Sequence, residues 1–241
     1  MFSGYSLSLI QASWMTVQLA FASLAVGLVL SMIFASGEMS RFKFISWPTT
    51  ALVTVIRGLP ELLVVLFIFF GSGQILFYIT GEYIEISPFL SGVIALSLIF
   101  ASYAAQTLRG ALKAVPKGQR EAAIALGLPK SRAFLKIVLP QAVRHALPGL
   151  TNQWLVLLKD TALVSLIGVT DLLKQAQLTS ASTHQSFTWY ATAAAVYLVI
   201  TIITQRVIAI LNKKYQLQDA HATPSKSKSK SKSKSKLSLG A

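Results

Sequence analysis

Long uncharged apolar segments are the feature that most constrains this chain. The segments 17–36, 88–108 and 187–205 contain no Asp, Glu, Lys or Arg. About 20 helical residues are enough to cross the roughly 30 Å hydrocarbon core of a bilayer. Charged residues make up only 12% of the chain, too few to coat a soluble domain of this size. The sequence therefore predicts an all-α integral membrane protein.

Two further apolar segments, 47–70 and 146–170, are interrupted by charged residues. The interrupting residues are Arg57, Glu61, Lys159 and Asp160. Counting both segments predicts five membrane spans. We expect the second span to begin at Trp47, because Trp followed by Pro is typical of an entry at the membrane interface. The uncharged segment 62–80 is an alternative position for that span.

The basic residues lie in alternate loops, and this placement predicts the orientation of the chain. Lys and Arg collect in the segment 41–43, in the loop 109–145 and after the last span. By contrast, the loop 71–87 has no basic residue and the loop 171–186 has one. Because cytoplasmic loops are enriched in Lys and Arg, we expect the N-terminus outside and the C-terminus inside.

The predicted organisation has three parts. Residues 1–12 form a periplasmic N-terminus, and residues 13–215 form a transmembrane domain that includes the cytoplasmic loop 109–145. Residues 216–241 form a tail in which Ser and Lys alternate from 225 to 236. Such a tail buries no apolar area, so we expect it to be disordered. It is either a solubilising tail or one attracted to anionic lipid.

The residues that most enzymes require are missing or scattered. The chain has no cysteine, which excludes disulfides, thiolate metal sites and cysteine nucleophiles. Its three histidines are far apart and lack metal-ligand spacing, and no G-x-x-x-x-G-K-[ST] phosphate-binding loop occurs. The sequence therefore predicts neither an enzyme, nor a metal site, nor a bound cofactor.

The segment EAAIALGLPKSRAFLKIVLP, residues 121–140, lies in the longest basic loop. Its pattern predicts a short helix over 121–126 that ends at Gly127. A second helix, 131–139, is expected to be capped by its first residue, a serine, and to end at Pro140. On this pattern alone, the segment suits a connecting loop or a small basic pair of DNA-binding helices.

The spacing of the segment closely resembles the EAA loop of ABC-importer permeases. The seven matching positions are Glu121, Ala122, Ala123, Gly127, Ile137, Leu139 and Pro140. In that family the loop is a coupling helix that docks on a separate ATPase subunit, so the resemblance implies this role here. Its place between membrane spans argues against DNA binding.

The resemblance extends over residues 13–214. The stretches VIRGLPELLVVLFIFFG, YAAQTLRGALKAVPKGQREAA and LLKDTALVSLIGVTDLL are similar to the polar amino acid branch of these permeases. This similarity implies the type I importer (MetI-like) permease fold in a bacterial inner membrane. It also implies a second permease subunit, a periplasmic binding protein and two ATPase subunits that bind ATP and Mg.

The resemblance also implies a substrate. Arginine permeases are the most similar members of the branch, so arginine is the expected substrate. Glutamine, histidine, lysine and ornithine are alternatives within the same class. A stand-alone channel or secondary transporter is an alternative from another class, and such a protein would transport without an ATPase partner.

Polar residues inside the spans are candidates for a substrate pathway, because intramembrane charges usually line a pathway or pair with one another. The candidates are Glu61, Tyr103, Gln106, Thr107, Asn152, Lys159, Asp160 and Thr161. We expect Glu61 and Asp160 to attract a cationic side chain. The alternative is an ion pair, Glu61 with Lys159 or with Arg57, that only fixes helix packing.

The uncharged candidates leave a similar choice open. Tyr103, Gln106 and Thr107 are three and four residues apart, so they share one face of a helix. That face either lines the pathway or packs against another helix. The same choice applies to Asn152 and Gln153, whereas Trp154 is expected to pack.

Overall fold

The computed structural model describes residues 2–82 and 85–215, and this part of the chain is helical. The nine α-helices of the described residues are α1 (Phe2–Glu38), α2 (Lys43–Gly58), α3 (Glu61–Thr80), α4 (Pro88–Ala114), α5 (Lys117–Ala125), α6 (Lys130–Ala133), α7 (Leu139–Asp160), α8 (Leu172–Thr183) and α9 (Ser186–Tyr215). A π-helical turn, Phe134–Val138, joins α6 to α7, and a 3-10 helix, Thr161–Ile167, follows α7. The predicted tail 216–241 lies outside the described residues.

Four of the described helices are long and apolar enough to cross a membrane. The spanning segments are Leu7–Glu38, Glu61–Thr80, Pro88–Ala114 and Ser186–Ile210. Three of them contain the uncharged runs from which the spans were predicted. The all-helical fold and several membrane-length helices are therefore confirmed.

The expected start of the second span at Trp47 is wrong. The helix α2 ends at Gly58, and α3 begins only at Glu61. Between them Leu59 is extended, with φ −92° and ψ 147°. The ring of Pro60 disfavours a helical backbone at the preceding residue, which explains the break. The membrane-length helix is α3, which contains the alternative segment 62–80.

The fourth predicted span is interrupted where its charges lie. The helix α7 ends at Asp160, and the chain tightens into the 3-10 helix, which ends at Gly168 with φ 98°. At the predicted interruption, the chain changes from the α-helix α7 to a 3-10 helix. α7 is not among the four membrane-length apolar helices of the described residues, so a fifth crossing stays a prediction.

Helix α4 is at the centre of the fold and packs against α1, α3 and α7. Small residues make this packing close, because Ala95, Ala101 and Ala104 on α4 are fully buried. The α7 residue Gly149 serves the same purpose. A Cβ atom added there would lie 2.6 Å from Cγ2 of Thr107, so only glycine allows this approach between α4 and α7.

The first half of the 121–140 segment folds as its sequence predicts. The helix α5 ends at Ala125, and Gly127 has the left-handed φ of 82° that favours glycine. Its amide donates to the carbonyl of Ile124 at 2.9 Å, and the amide of Leu128 donates to Ala123 at 3.1 Å. These bonds satisfy two carbonyls at the end of the helix.

The second half of the segment corrects two expectations. The helix α6 begins at Lys130, directly after Pro129, so Ser131 does not cap it. Pro140 does not end the helix either, since it lies in the first turn of α7. The preceding π-helical turn changes the hydrogen-bond register, and proline is tolerated in a first helical turn. Nearby, Gln141 Nε2 donates to the carbonyl of Ile137 at 2.9 Å.

Candidate functional site

A cavity of about 350 Å³ opens between α3, α4 and α7. It is lined by Glu61, Ile99, Phe100, Tyr103, Asn152, Gln153, Val156, Leu157 and Asp160. Four of the eight predicted pathway residues are in this lining, namely Glu61, Tyr103, Asn152 and Asp160. These residues come from three helices, so the fold brings together side chains that are up to about 100 positions apart in the chain.

The two carboxylates of the cavity sit at helix ends. Glu61 is the first residue of α3, directly after the break at Pro60. Asp160 is the last residue of α7. The C-terminal end of a helix carries partial negative charge, so the helix dipole adds to the charge of Asp160. The positive N-terminal end of α3 acts in the opposite direction on Glu61, so the helix dipoles strengthen the negative potential only at Asp160.

Neither carboxylate has an ion-pair partner among the described residues, where the one ion pair within 4.0 Å is Arg109–Glu38. The alternative of an ion pair between Glu61 and Lys159 or Arg57 is therefore not formed among these residues. Tyr103 Oη donates to Glu61 Oε1 at 3.5 Å. The guanidinium carbon of Arg57 lies 5.3 Å from the centre of the Tyr103 ring, a cation–π contact.

Gln106 and Thr107 face other helices rather than the cavity. Gln106 Nε2 donates to both carboxylate oxygens of Glu38, at 2.8 and 3.0 Å. Thr107 Oγ1 accepts a hydrogen bond of 2.8 Å from Gln153 Nε2 of α7. Their shared helix face therefore joins α4 to α1 and to α7. A role for these two residues in the pathway stays a prediction.

Lys159 and Thr161 also lie outside the cavity lining. Thr161 is fully buried, and its hydroxyl donates to the carbonyl of Leu158 at 2.7 Å. Lys159 lines a separate groove against α8 and α9. Trp154 packs as expected: it is buried, and its ring centre lies 5.0 Å from that of Phe21.

Glu38 is the polar residue of the interior that the sequence interpretation missed. Its side chain is completely buried at the end of α1, with Nη1 of Arg109 at 3.9 Å from Oε2. The available signal was its position, since Glu38 is the first charged residue after a long uncharged run. A carboxylate at that place needs a partner if the helix end is covered.

Asp171, which precedes α8, was missed as well. It is fully buried, and its carboxylate accepts hydrogen bonds from the Lys174 amide at 2.9 Å and from Tyr197 Oη at 3.2 Å. Burial raises the pKa of this carboxyl, while the two hydrogen bonds act in the opposite direction. Asp171 therefore caps α8 and joins it to α9.

The 121–140 segment presents part of its motif outward. Glu121 and Ala122 of α5 are exposed, whereas Ala123 is buried. Leu126, which is not a motif position, is 84% exposed beside Gly127.

The rest of the motif is turned toward the membrane helices. Ile137 and Leu139 are half-buried on either side of Val138, which is buried against Val115 and Ala142. Because Val115 directly follows α4 and Ala142 belongs to α7, this contact joins the loop to two of the three helices that line the cavity.

Comparison with known proteins finds one family and several close relatives. The family model for the binding-protein-dependent transport system inner membrane component matches residues 27–217. The arginine ABC transporter permease protein ArtQ of Haemophilus influenzae is 58% identical over 205 residues, which cover 85% of this chain and 92% of that protein. ArtQ of Escherichia coli is 54% identical over 83% of this chain and 91% of its own length.

Solved structures give the same fold. A crystal structure of an amino acid ABC transporter with histidines superimposes with a TM-score of 0.79 at 32% identity, covering 88% of this chain and 96% of the other. An inward-facing structure of the MetNI methionine ABC transporter has a TM-score of 0.72 at 17% identity. It covers 90% of this chain and the whole of the other, and it supports the fold alone.

Proposed function

The chain belongs to the family of binding-protein-dependent transport system inner membrane components, as a permease of an ABC importer, and we propose that it translocates arginine. The observation that carries this proposal is the pair of carboxylates, Glu61 and Asp160, which face one cavity without an ion-pair partner. A guanidinium group presents several N–H donors and matches such a site. The nearest protein guanidinium, Arg57, is held against the ring of Tyr103.

Relatives support a basic substrate. Both ArtQ proteins are named for arginine, and the HisQ permease of Escherichia coli, 36% identical to this chain, is named for histidine, lysine, arginine and ornithine. Lysine, histidine, ornithine and glutamine remain the alternatives. A cation is favoured because the charged residues of the cavity lining, Glu61 and Asp160, are both acidic.

Transport by the complete importer tests the proposal. The chain is reconstituted in vesicles with its second permease subunit, its ATPase subunits and its periplasmic binding protein. We expect uptake of arginine that depends on ATP, and slower uptake of glutamine. Equal uptake of both amino acids would contradict a cation-selective pathway, and uptake without the ATPase would favour a secondary transporter.

We further propose that the loop 109–145 couples this chain to the ATPase. Glu121, Ala122 and Leu126 form the exposed docking surface, and Gly127 fixes the turn behind it. In this proposal the ATPase partner binds ATP and Mg.

Gly127→Leu tests the coupling. The left-handed φ of 82° is strained for leucine, so the loop should deform and arginine uptake should fall at least tenfold. Gly118→Leu is the matched control, because Gly118 lies in the same loop, has open space around it and has no left-handed φ. We expect the control to keep most of its uptake. Full uptake by Gly127→Leu would refute the assignment.

The proposed topology has five crossings in the bacterial inner membrane, with α7 as the fourth. The N-terminus lies outside and the C-terminus inside, so 1–12 is periplasmic and the permease domain 13–215 precedes a cytoplasmic tail, 216–241. Reporters fused after Lys214 and inserted near Glu82 should read cytoplasmic and periplasmic, respectively. Two reporters on the same side would overturn the five-span topology.

A further inference from the structure

A second groove lies beside another face of α7 than the one that lines the cavity. It has a volume of about 280 Å³ and is lined by Lys159, Ala162, Leu173, Tyr190, Ala193, Ala194 and Tyr197. Consecutive residues of an α-helix point about 100° apart, which explains why Lys159 enters this groove while Asp160 enters the cavity. Apart from the lysine, the walls are mainly apolar.

The groove lies at membrane depth. Its α9 wall extends from Tyr190 to Tyr197, which at about 1.5 Å per residue is roughly 6 to 16 Å beyond the first residue of α9, Ser186. The segment Ser186–Ile210 is one of the membrane-length helices. The groove therefore lies in the leaflet at the Ser186 end of α9. The partly exposed Tyr190 is the groove residue of α9 nearest to that membrane interface, and tyrosine is enriched at such interfaces.

The charge of Lys159 has no partner within the described part of the chain. No carboxylate there lies within 4.0 Å of its ammonium group, although the residue is exposed. An unpaired cation at membrane depth is costly, so it either pairs or reaches toward the interface. An anion from outside the described residues would compensate this charge.

We propose that this groove binds an anionic phospholipid, with its phosphate at Lys159 and one acyl chain along the alanines. Ala162, Ala193 and Ala194 form a narrow apolar slot that suits a methylene chain. The lysine stem is long enough to carry its charge toward the headgroup level. A carboxylate from another protein subunit is a weaker match, because a fully covered ion pair there loses hydration on both sides.

Lipid retention by the purified importer tests this site. Native mass spectrometry would measure the fraction of complex that retains phosphatidylglycerol and, separately, phosphatidylcholine. Lys159→Met should lower phosphatidylglycerol retention about tenfold, the effect of one lost hydrogen bond to a charged group, and leave phosphatidylcholine retention unchanged. Lys159→Arg keeps the charge and should keep the lipid.

Two further variants locate the site. Ala194→Leu fills the slot without altering any charge and should also release phosphatidylglycerol, several-fold. Lys174→Gln is the matched charge control, because Lys174 lies at the same end of the fold and its ammonium already donates to Gln177 at 3.3 Å. It should retain the lipid as the wild type does.

Several results would overturn the proposal. Equal retention by the wild type and Lys159→Met would exclude the lysine, and equal losses in Lys159→Met and Lys174→Gln would indicate general surface charge. Loss of both lipids together would indicate a folding defect. If the complete wild-type importer retains no phosphatidylglycerol, the groove does not bind this lipid and the proposal fails.

Discussion

Two glutamates contact α4 about one helical turn apart, but one is buried with hydrogen-bond partners and the other faces a cavity. Glu38, at the end of α1, is fully buried and accepts two hydrogen bonds from Gln106, with Arg109 beside it. Glu61, at the start of α3, faces the cavity and accepts one long hydrogen bond of 3.5 Å from Tyr103. The first carboxylate is satisfied by the protein, and the second is not.

This difference separates a structural charge from a binding charge. Buried polar groups of folded proteins almost always have partners, so a satisfied carboxylate such as Glu38 fixes the packing of α1 against α4. Glu61 and Asp160 face a cavity without an ion-pair partner, and in the proposed function a cationic substrate compensates their charge. The two regions should therefore respond to mutation in different measurements.

The largest effect is expected from Glu38→Ala, measured as stability. The variant removes the acceptor of Gln106 and the partner of Arg109, and leaving one half of a buried pair typically costs 3–5 kcal/mol. Because Arg109 is one-third exposed and reaches water, we expect a loss of about 3 kcal/mol, near the lower end of that range. Unfolding of the purified chain in mixed detergent measures it.

Glu82→Ala is the matched control for this prediction, because Glu82 is an exposed glutamate of the same chain. It should leave the free energy of unfolding within about 0.5 kcal/mol of the wild type. If Glu38→Ala proves as stable as this control, the buried cluster does not fix the helices and the comparison with Glu61 fails.

Intermediate effects are expected from Asp160→Asn and Glu61→Gln, measured as transport. One lost carboxylate partner of a cationic substrate costs about 1–3 kcal/mol, which corresponds to roughly a tenfold to hundredfold loss of arginine uptake. Uptake is normalised to the amount of assembled complex. Glutamine uptake should change much less, because its side chain carries no charge.

The opposite outcome for these two variants is equally informative. If uptake of arginine and glutamine falls equally, or if the amount of assembled complex falls instead, the two carboxylates are structural like Glu38. The free energy of unfolding of both variants should stay close to that of the wild type. A loss similar to that of Glu38→Ala would erase the distinction between the two regions.

The satisfied cluster was harder to predict from the sequence than the cavity. Glu61 and Asp160 interrupt apolar segments, so their place at breaks in the helices was evident from local sequence. Glu38 only ends an apolar run, and its partner Gln106 lies 68 positions further along the chain. No local pattern predicts a contact at that separation, because it depends on how α1 packs against α4.

Helix boundaries show the same limit. The left-handed turn at Gly127 was predictable, because a glycine that follows a helical segment and precedes Leu-Pro is typical of a left-handed helix C-terminus. The π-helical turn before Pro140 was not, since a helix that changes register around a proline looks in sequence like one that ends. Likewise, Trp47 resembles an interfacial residue, but only the break at Leu59 decides which helix is the long one.

The smallest effect is expected from Tyr103→Phe, which tests how far the protein itself satisfies Glu61. The variant removes the hydroxyl that donates to Glu61 at 3.5 Å but keeps the ring beneath Arg57. A hydrogen bond of that length is weak, so about 0.5–1 kcal/mol, or a twofold to fivefold change in arginine uptake, is expected.

Tyr103→Ala also removes the ring, which frees Arg57 to approach Glu61 and compete with the substrate, and should reduce uptake further. If Tyr103→Phe alone lowers uptake a hundredfold, the tyrosine satisfies Glu61 as fully as Gln106 satisfies Glu38, and the two glutamates are alike after all.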